Sequence, residues 1–433
     1  MSLNKRVLLA LLLSITVSLG MPAIAADQAT WTVLVFLNGD NNLDSDAVGS
    51  FNEMAKVGST SEVNFVAQLA RSGAMTSRYR ITKGMQPSPR NAVENLGKTN
   101  MGDGKVLKEF LKWGLEKYPA QKTLLIVWDH GQGWRIFDDS GLKTSQLTPK
   151  LQKARTLMSA HENGSSPAPL KSISYSDTFN DFLYNREMED AIKEAIGTKK
   201  LDAIGLDACL MGMIETAYAL RDCTNVMIAS EELVPGSSFN YPAFCKSLVQ
   251  KPSMDANSLG SEIVTSYKSR YQKDLPDTTL SAIDLRSIDQ LAQSVSSLGT
   301  SLAAQLPNGK KEIDRCRSSC ATYAPPTSDN QVYGIDLGYL CSVLIAKNSD
   351  SSVKESAGKC LTELKKVVLA NYAGAQRQGN YGSTGLAIYF PASKKDFLSD
   401  PYREGYSRNN TNFPIEFVQQ NDWAMFINKF VAQ

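Results

Sequence analysis

Hydrophobic and polar positions follow two alternating patterns along most of the chain. Segments with apolar residues three and four positions apart indicate helices at 46–58, 103–117, 185–197, 258–272, 288–306, 338–346, 352–370 and 423–430. Short continuous apolar runs between them indicate buried strands at 31–37, 63–69, 122–128, 201–206, 225–230, 278–285 and 385–390. This alternation predicts an α/β fold, with a mostly parallel sheet flanked by helices on both faces and a less regular α/β C-terminal region.

The first 25 residues have the layout of a secretory signal peptide. Lys5 and Arg6 precede an apolar run at 7–19, and the small residues Ala-Ile-Ala-Ala follow at 23–26. An uncleaved anchor is the alternative, although the apolar run is short for a membrane span. We therefore expect residues 1–25 to be removed and the protein to be exported, as a periplasmic, cell-surface or secreted protein.

Periodicity disappears between residues 138 and 176. Basic residues stand there among Ser, Thr, Pro and Gly, namely Lys143, Lys150, Lys153, Arg155 and Lys171. A long segment of this type inside a compact domain is typical of a functional or mobile loop. We predict a main domain at 26–300 that contains this loop, and a C-terminal α/β region at 301–433 packed against it.

The charge of the chain excludes some classes of partner. The chain has 46 basic and 44 acidic residues, and removing the two basic residues of the signal leaves 46 − 2 = 44 basic residues. A near-neutral protein has no basic excess for nucleic acid or an anionic membrane. We therefore expect no nucleic-acid partner and no stable membrane insertion once the signal is removed.

The cysteines are odd in number, seven in all, so at least one thiol is free. Export would permit up to three disulfides, and buried reduced cysteines are the alternative. With two histidines in the chain and no Cys-x-x-Cys pair, no structural metal site is predicted.

Two predicted strands end in residues that can carry chemistry. Cys209 follows the run at 201–206, where the pattern changes to helical spacing, so we expect it at a strand-to-helix turn whose dipole favours the thiolate. His130 follows the run at 122–128. Open α/β sheets place their chemistry at such strand ends. A thiolate nucleophile and an imidazole are the minimum for acyl transfer, while a buried structural cysteine is the alternative.

The turn after the first strand could bind calcium. Asp40, Asn42 and Asp44 alternate as ligands do in an EF-hand loop, but Ser45 replaces the required Gly and Phe51 the bidentate Glu. A turn that caps the next helix is therefore the preferred interpretation. Calcium remains only a possible cofactor.

The sequences Trp-Asp-His-Gly-Gln-Gly-Trp at 128–134 and Asp-Ala-Cys-Leu-Met at 207–211 have a distinctive order and context. Together they resemble the clostripain family of cysteine peptidases, which have a caspase-like fold. The segments at 38–42, 235–236 and 381–391 fit the same pattern, so the resemblance covers most of the chain. It implies a caspase-like mostly parallel sheet and a catalytic role for the domain at 26–300.

The resemblance also implies roles for individual residues. Cys209 would attack the scissile carbonyl, His130 would protonate the leaving amine, and the backbone N–H groups of Gly131 and Cys209 would form the oxyanion hole. Asp207 would be the carboxylate at the base of an S1 pocket for Arg or Lys, with helix capping as its alternative.

For three further acidic residues, Glu231, Glu232 and Asp129, the sequence leaves two alternative roles open. Glu231 and Glu232 could add a second acid to the S1 pocket, or one of them could simply be solvated. Asp129 and Gln132 replace the Asn and Gly that are usual in the family. Asp129 would either strengthen the neighbouring imidazolium as an acid or face solvent as a turn residue.

The resemblance therefore implies an exported cysteine endopeptidase that cleaves protein or peptide substrates after Arg or Lys. Family members are made as precursors, so self-cleavage within the basic loop at 138–176 is expected to activate it. The alternative is a non-catalytic exported binding or adhesion protein that keeps the caspase-like fold.

Overall fold

The computed structural model describes residues 28–134, 173–324, 333–400, 402–411 and 414–433. The predicted signal peptide and residues 138–172 of the predicted loop lie outside these ranges. The last four residues of that loop are not irregular, because Ile173–Ser176 forms a strand that pairs with Asp181–Leu183. We number these two strands β6 and β7.

Among the described residues, nine strands form one central sheet. Its five middle strands run parallel, and they are β1 (Ala29–Gly39), β2 (Val63–Arg71), β5 (Ala120–Trp128), β8 (Leu201–Asp207) and β9 (Thr224–Ala229). Antiparallel strands extend both edges, namely β3 (Thr76–Arg80), β4 (Glu94–Gly97), β10 (Thr279–Asp284) and β12 (Val368–Ala373). The order across the sheet is β12-β10-β9-β8-β5-β1-β2-β3-β4. The predicted mostly parallel α/β sheet is therefore confirmed.

Alternate residues of β1 face two separate cores, since successive side chains of a strand point to opposite faces. Leu34 and Phe36 belong to one hydrophobic cluster, and Val33 and Val35 to the other. Helices cover the first face as α2 (Gly104–Lys117), α3 (Asn185–Ile196), α4 (Ile214–Leu220) and α7 (Ile288–Ser318). The second face is covered by α1 (Asp44–Ala55), α5 (Tyr241–Gln250) and α6 (Ala256–Tyr271). A strand buried on both faces is apolar throughout, which explains the continuous runs in the sequence.

The C-terminal region shares the central sheet and its core. The boundary predicted at residue 300 falls inside α7, and β12 is an edge strand of the main sheet. The remaining elements are β11 (Gly334–Asp336), β13 (Ala387–Tyr389), α8 (Leu337–Lys347), α9 (Ser351–Val367), α10 (Lys394–Ser399), α11 (Glu416–Gln420) and α12 (Asp422–Ala432). The helix predicted at 352–370 is thus too long by three residues, because the chain turns into β12 after Val367. Within the described ranges, no helix combines the length and apolar character needed to cross a membrane.

The last helix docks on α7 through a close main-chain contact. A Cβ atom added to Gly299 of α7 would lie 2.7 Å from the backbone nitrogen of Trp423 in α12. Trp423 is buried, and its Nε1 donates a hydrogen bond to the carbonyl oxygen of Tyr389 at 2.9 Å. The predicted docking of the C-terminal aromatic helix on the core is therefore confirmed.

Replacing Gly299 by Ala should lower the free energy of unfolding by about 1–3 kcal/mol, since the backbone facing it cannot move aside without cost. Gly358 in α9 is the matched control, because nothing lies within 4 Å of a Cβ atom there. Gly358→Ala should gain up to about 1 kcal/mol from helix propensity. Urea denaturation of both variants measures the difference, and equal effects would contradict the packing described here.

Candidate active site

His130 and Cys209 lie just beyond the carboxyl ends of two neighbouring parallel strands. Trp128 of β5 is paired with Asp207 of β8, and each of the two side chains comes two residues after that pair. Both line the same cavity, whose volume is about 760 Å³. The structure thus brings together the two residues that the sequence suggested; their catalytic roles stay predictions.

The chain after Cys209 is a turn and not the start of a helix. Helix α4 begins only at Ile214, and Leu210 has a left-handed backbone with φ of 62°. Leu210 donates its N–H to the carbonyl oxygen of Glu232 at 3.1 Å, and Gly212 donates to that of Ser230 at 2.7 Å. The expected effect of a helix dipole on the thiol is therefore wrong, because this effect is confined to the first turn of a helix.

The Cys209 thiol is half-buried and accepts a hydrogen bond from the N–H of Val234, with 3.2 Å between nitrogen and sulfur. Burial raises the pKa of this thiol to about 12, and the carboxylates of Glu232, Asp207 and Asp129 raise it further, while the N–H of Val234 acts in the opposite direction. The thiol is thus neutral at neutral pH in this state. A nucleophilic thiolate requires transfer of its proton to a base.

The imidazole of His130 is oriented by Asn42, in the loop after β1. Nε2 of His130 lies 2.9 Å from Oδ1 of Asn42, which also lines the cavity. An amide oxygen only accepts, so this contact is a hydrogen bond in the tautomer that carries its proton on Nε2. Nδ1 is then the ring nitrogen that can exchange a proton with a thiol. The sequence had suggested Asn42 only as a calcium ligand, since nothing in its local pattern connects it to a residue 88 positions away.

The Asp129 carboxylate is buried and joins three segments beside the imidazole. It accepts hydrogen bonds from the side-chain amides of Asn38 and Asn41, both at 2.9 Å, and from the backbone N–H groups of His130 and Tyr175. At 5% exposure it is not a solvent-facing turn residue. This network fixes the backbone on which the imidazole is carried.

The three residues that alternate as in an EF-hand diverge in the structure. Asp40 accepts hydrogen bonds from the β6–β7 hairpin, Asn42 contacts the imidazole, and Asp44 forms an ion pair with an arginine of β2 at 2.6 Å. The preferred capping turn is also absent, because Leu43 precedes α1 without a side-chain cap, and Asn41 instead accepts the N–H of Leu43 at 2.8 Å. In the part of the chain that the structure describes, no three His, Cys, Asp or Glu residues are grouped to hold a metal ion.

Asp207 lines the cavity with one carboxylate oxygen occupied and the other unpaired. Oδ2 accepts from the hydroxyl of Tyr241 at 2.8 Å and the N–H of Phe239 at 3.3 Å, whereas Oδ1 has no hydrogen-bond partner among the described residues. Burial raises the pKa of Asp207 to about 7. Helix capping is not its role, since the next helix begins at Ile214. An unpaired buried carboxylate oxygen can accept a cationic ligand.

Glu231 and Glu232 are both buried, so neither is solvated, and neither lines the cavity. Glu231 accepts the N–H of Gly385 at 3.1 Å, and burial, then the nearby Asp336, raises its pKa well above the ordinary value. Glu232 forms an ion pair with Arg377 at 2.7 Å. The geometry therefore offers Asp207, and neither glutamate, to a ligand in the cavity.

Gly131 is in close contact with the turn that carries Cys209. An added Cβ atom would lie 2.4 Å from the carbonyl oxygen of Cys209, so only glycine fits there. The two segments predicted to supply the oxyanion hole are thus neighbours.

All seven cysteines are free thiols, six of them buried, so the reduced alternative describes this structure.

A thiol and an imidazole at the carboxyl ends of adjacent strands, in a parallel sheet covered on both faces, define a cysteine peptidase of caspase-like fold. A model of the clostripain family matches residues 35–148 and 154–430. The chain belongs to the clostripain family. It is 22% identical to clostripain from Hathewaya histolytica over 423 residues, which covers 84% of this chain and 75% of clostripain.

Two solved structures share this fold. One is a secreted C11 cysteine protease from Bacteroides thetaiotaomicron in complex with an irreversible peptide inhibitor, with a TM-score of 0.62 and 18% identity over 90% of this chain and 99% of that one. The other is an inactive zymogen C11 protease from Parabacteroides distasonis, with a TM-score of 0.59 and 16% identity over 92% of this chain and 98% of that one.

Replacing Asn42 by Ala should lower kcat for peptide hydrolysis about 2- to 10-fold with little change in KM, because the lost hydrogen bond to the imidazole is worth roughly 1 kcal/mol. Steady-state kinetics measures the effect. Asn91→Ala, in the loop between β3 and β4, is the control and should leave kcat unchanged. Full activity of the Asn42 variant would show that the imidazole does not need this partner.

Proposed function

We propose that this protein is an exported cysteine endopeptidase that cleaves after Arg or Lys, with His130 and Cys209 as its catalytic residues. The observation that carries the proposal is the buried carboxylate of Asp207, which lines the same cavity as Cys209 and His130 and whose Oδ1 has no hydrogen-bond partner among the described residues. A buried carboxylate without a cationic partner is costly, and the guanidinium or ammonium of a substrate supplies that partner.

The chemistry follows from the tautomer that Asn42 holds. Nδ1 of His130 takes the thiol proton as the sulfur of Cys209 attacks the scissile carbonyl. The oxyanion is stabilised by the backbone N–H groups of Gly131 and Cys209, whose two segments are in contact. The imidazolium then returns its proton to the leaving amine, and water hydrolyses the thioester in a second round of the same steps.

Self-cleavage is the proposed route to activity. The basic segment at 138–172 joins the end of β5 to β6, so its Lys and Arg residues are tethered to the domain that holds the cavity. The described residues on either side of this segment are held by the rest of the domain. Trp134 packs against Tyr389 and Tyr406 with ring centroids 5.0 Å apart in each case, and Ile173 belongs to β6.

The direct test compares the mature protein with its Cys209→Ala variant on matched fluorogenic peptides that end in Arg, Lys or Asp. Wild type should cleave the Arg and Lys peptides and show a cut between residues 138 and 172 on a denaturing gel. The variant should do neither. Two silent, intact proteins would instead favour the binding protein on a caspase-like fold, and cleavage of the Asp peptide would contradict the role of Asp207.

The pH dependence of substrate choice should report on Asp207. Its carboxyl group is protonated below about pH 7 and ionised above it, so preference for a cationic side chain should rise with pH through that value. The ratio of kcat/KM for an Arg peptide to that for its neutral citrulline analogue isolates this effect from titration of the catalytic residues.

Asp207→Asn should lower kcat/KM for the Arg peptide by about 100-fold or more and remove the pH dependence of the ratio. Asp202→Asn, at the other end of β8, is the matched control. It should keep both the wild-type kcat/KM for the Arg peptide and the pH dependence of the ratio. A pH-independent ratio in wild type would show that Asp207 does not bind the cationic side chain.

A further inference from the structure

Glu232 and Arg377 form a buried ion pair beside the candidate active site. Nη2 of Arg377 lies 2.7 Å from Oε2 of Glu232, and the two side chains are 14% and 1% exposed. Two charges are held in this way only where geometry and further hydrogen bonds offset the loss of water. Both residues make such bonds, and the bonds lead in opposite directions.

From Glu232 the contacts lead to the nucleophile. Its carbonyl oxygen accepts the N–H of Leu210, the residue after Cys209, at 3.1 Å. Its carboxylate accepts the N–H of Leu233 at 2.9 Å, and the next residue, Val234, donates its N–H to the Cys209 sulfur at 3.2 Å. Glu232 therefore holds both segments around the thiol, which are the turn after Cys209 and the chain at 233–234.

From Arg377 the contacts lead to other residues that line the cavity, which together with Ala324 we call the substrate-binding wall. Its Nε donates to the carbonyl oxygen of Asp277 at 2.7 Å, and its guanidinium lies 4.6 Å from the ring centroid of Tyr381. All three of these residues line the cavity. The second carboxylate contact of Glu232, to the N–H of Ala324 at 3.2 Å, reaches the same wall.

We propose that the Glu232–Arg377 pair is the positioning element of this active site, which holds the Cys209 thiol in place and joins it to the substrate-binding wall. Neither residue touches the reacting atoms, so both act through the turn at Leu210, the N–H of Val234 and the wall residues. The carboxylate of Glu232 disfavours the thiolate form of Cys209, and the guanidinium of Arg377 offsets that negative charge. The inference rests on Cys209 being the nucleophile of the proposed function.

An ion pair without influence on the thiol would affect stability and leave the titration of the thiol unchanged. The charged groups that act on the thiol are Glu232, Asp207 and Asp129, and His130 and Arg377 line the same cavity. Removing the charge of Glu232 leaves the guanidinium of Arg377 uncompensated. An excess of positive charge stabilises a thiolate, so the pKa of Cys209 should fall.

The experiment measures the rate of iodoacetamide alkylation at Cys209, by mass spectrometry of the peptide that contains it, between pH 5 and 10 in the full chain. Glu232→Gln keeps the shape of the side chain and should move the midpoint down by about one pH unit. The double variant Glu232→Gln with Arg377→Gln removes both charges and should return the midpoint toward wild type. Arg286→Gln, which breaks the exposed Asp284–Arg286 pair, is the control and should not move it.

A second variant covers the case in which Glu232→Gln does not fold. Arg377→Lys keeps the positive charge but lacks the planar fork that spans Glu232 and Asp277. It should leave the alkylation midpoint in place and lower kcat severalfold. An unchanged midpoint in folded Glu232→Gln, or full kcat in Arg377→Lys, would overturn the proposal. If the midpoint shifts in Glu232→Gln but wild type cleaves no peptide, the role of the ion pair at the thiol is upheld and the proposed peptidase function is rejected.

Discussion

The register of the parallel strands β1, β5 and β8 is the constraint on which the site depends. Trp128 is paired with Leu37 on one side and with Asp207 on the other, so β5 and β8 end at the same level and β1 ends two residues further on, at Gly39. The loops that follow carry Asn42, His130 and Cys209 into one cavity. A shift of one residue between β5 and β8 would turn every side chain of one strand to the other face, so the apolar faces that fill the two cores also determine the chemistry at the edge.

Polar groups buried beneath this edge make the arrangement rigid. Asp129 ties the imidazole backbone to two neighbouring segments, and Glu232 joins the chain around the thiol to Ala324 and Arg377 of the cavity lining. Each carboxylate has its hydrogen-bond donors in place, as buried charge requires. Asp207 is different, because one of its oxygens is unpaired. In the proposed function this oxygen binds the cationic side chain of a substrate, whereas Asp129 and Glu232 support the site.

Most of the central fold could be predicted from the sequence, because strands buried on both faces are apolar throughout and cannot be mistaken for solvent-exposed segments. The edge strands β3, β4 and β12 were missed, since they are short or half-exposed and follow no continuous apolar run. The helix after Cys209 was placed too early. Leu210, Met211 and Met213 are buried and resemble a helical face in sequence, but they belong to a turn.

The residues around the site also divide into those that the sequence predicts and those that it does not. His130 and Cys209 were predictable because each follows a strand that the pattern reveals. The contacts Asn42–His130 and Glu232–Arg377 join residues 88 and 145 positions apart, since 377 − 232 = 145, and depend on which strands become neighbours. A single sequence contains no local signal of such pairing. For this reason the sequence offers Glu232 only as a possible second acid of the substrate pocket or as a solvated residue, whereas its charge is paired with that of Arg377.

The most direct test of the account is covalent labelling with a peptidyl chloromethyl ketone that ends in Arg or Lys, followed by mass-spectrometric mapping of the adduct. The account predicts one adduct, on the sulfur of Cys209, formed much faster than with the matching Asp reagent because Asp207 accepts the cationic side chain. An adduct on another residue, or equal labelling by the Asp reagent, would contradict it.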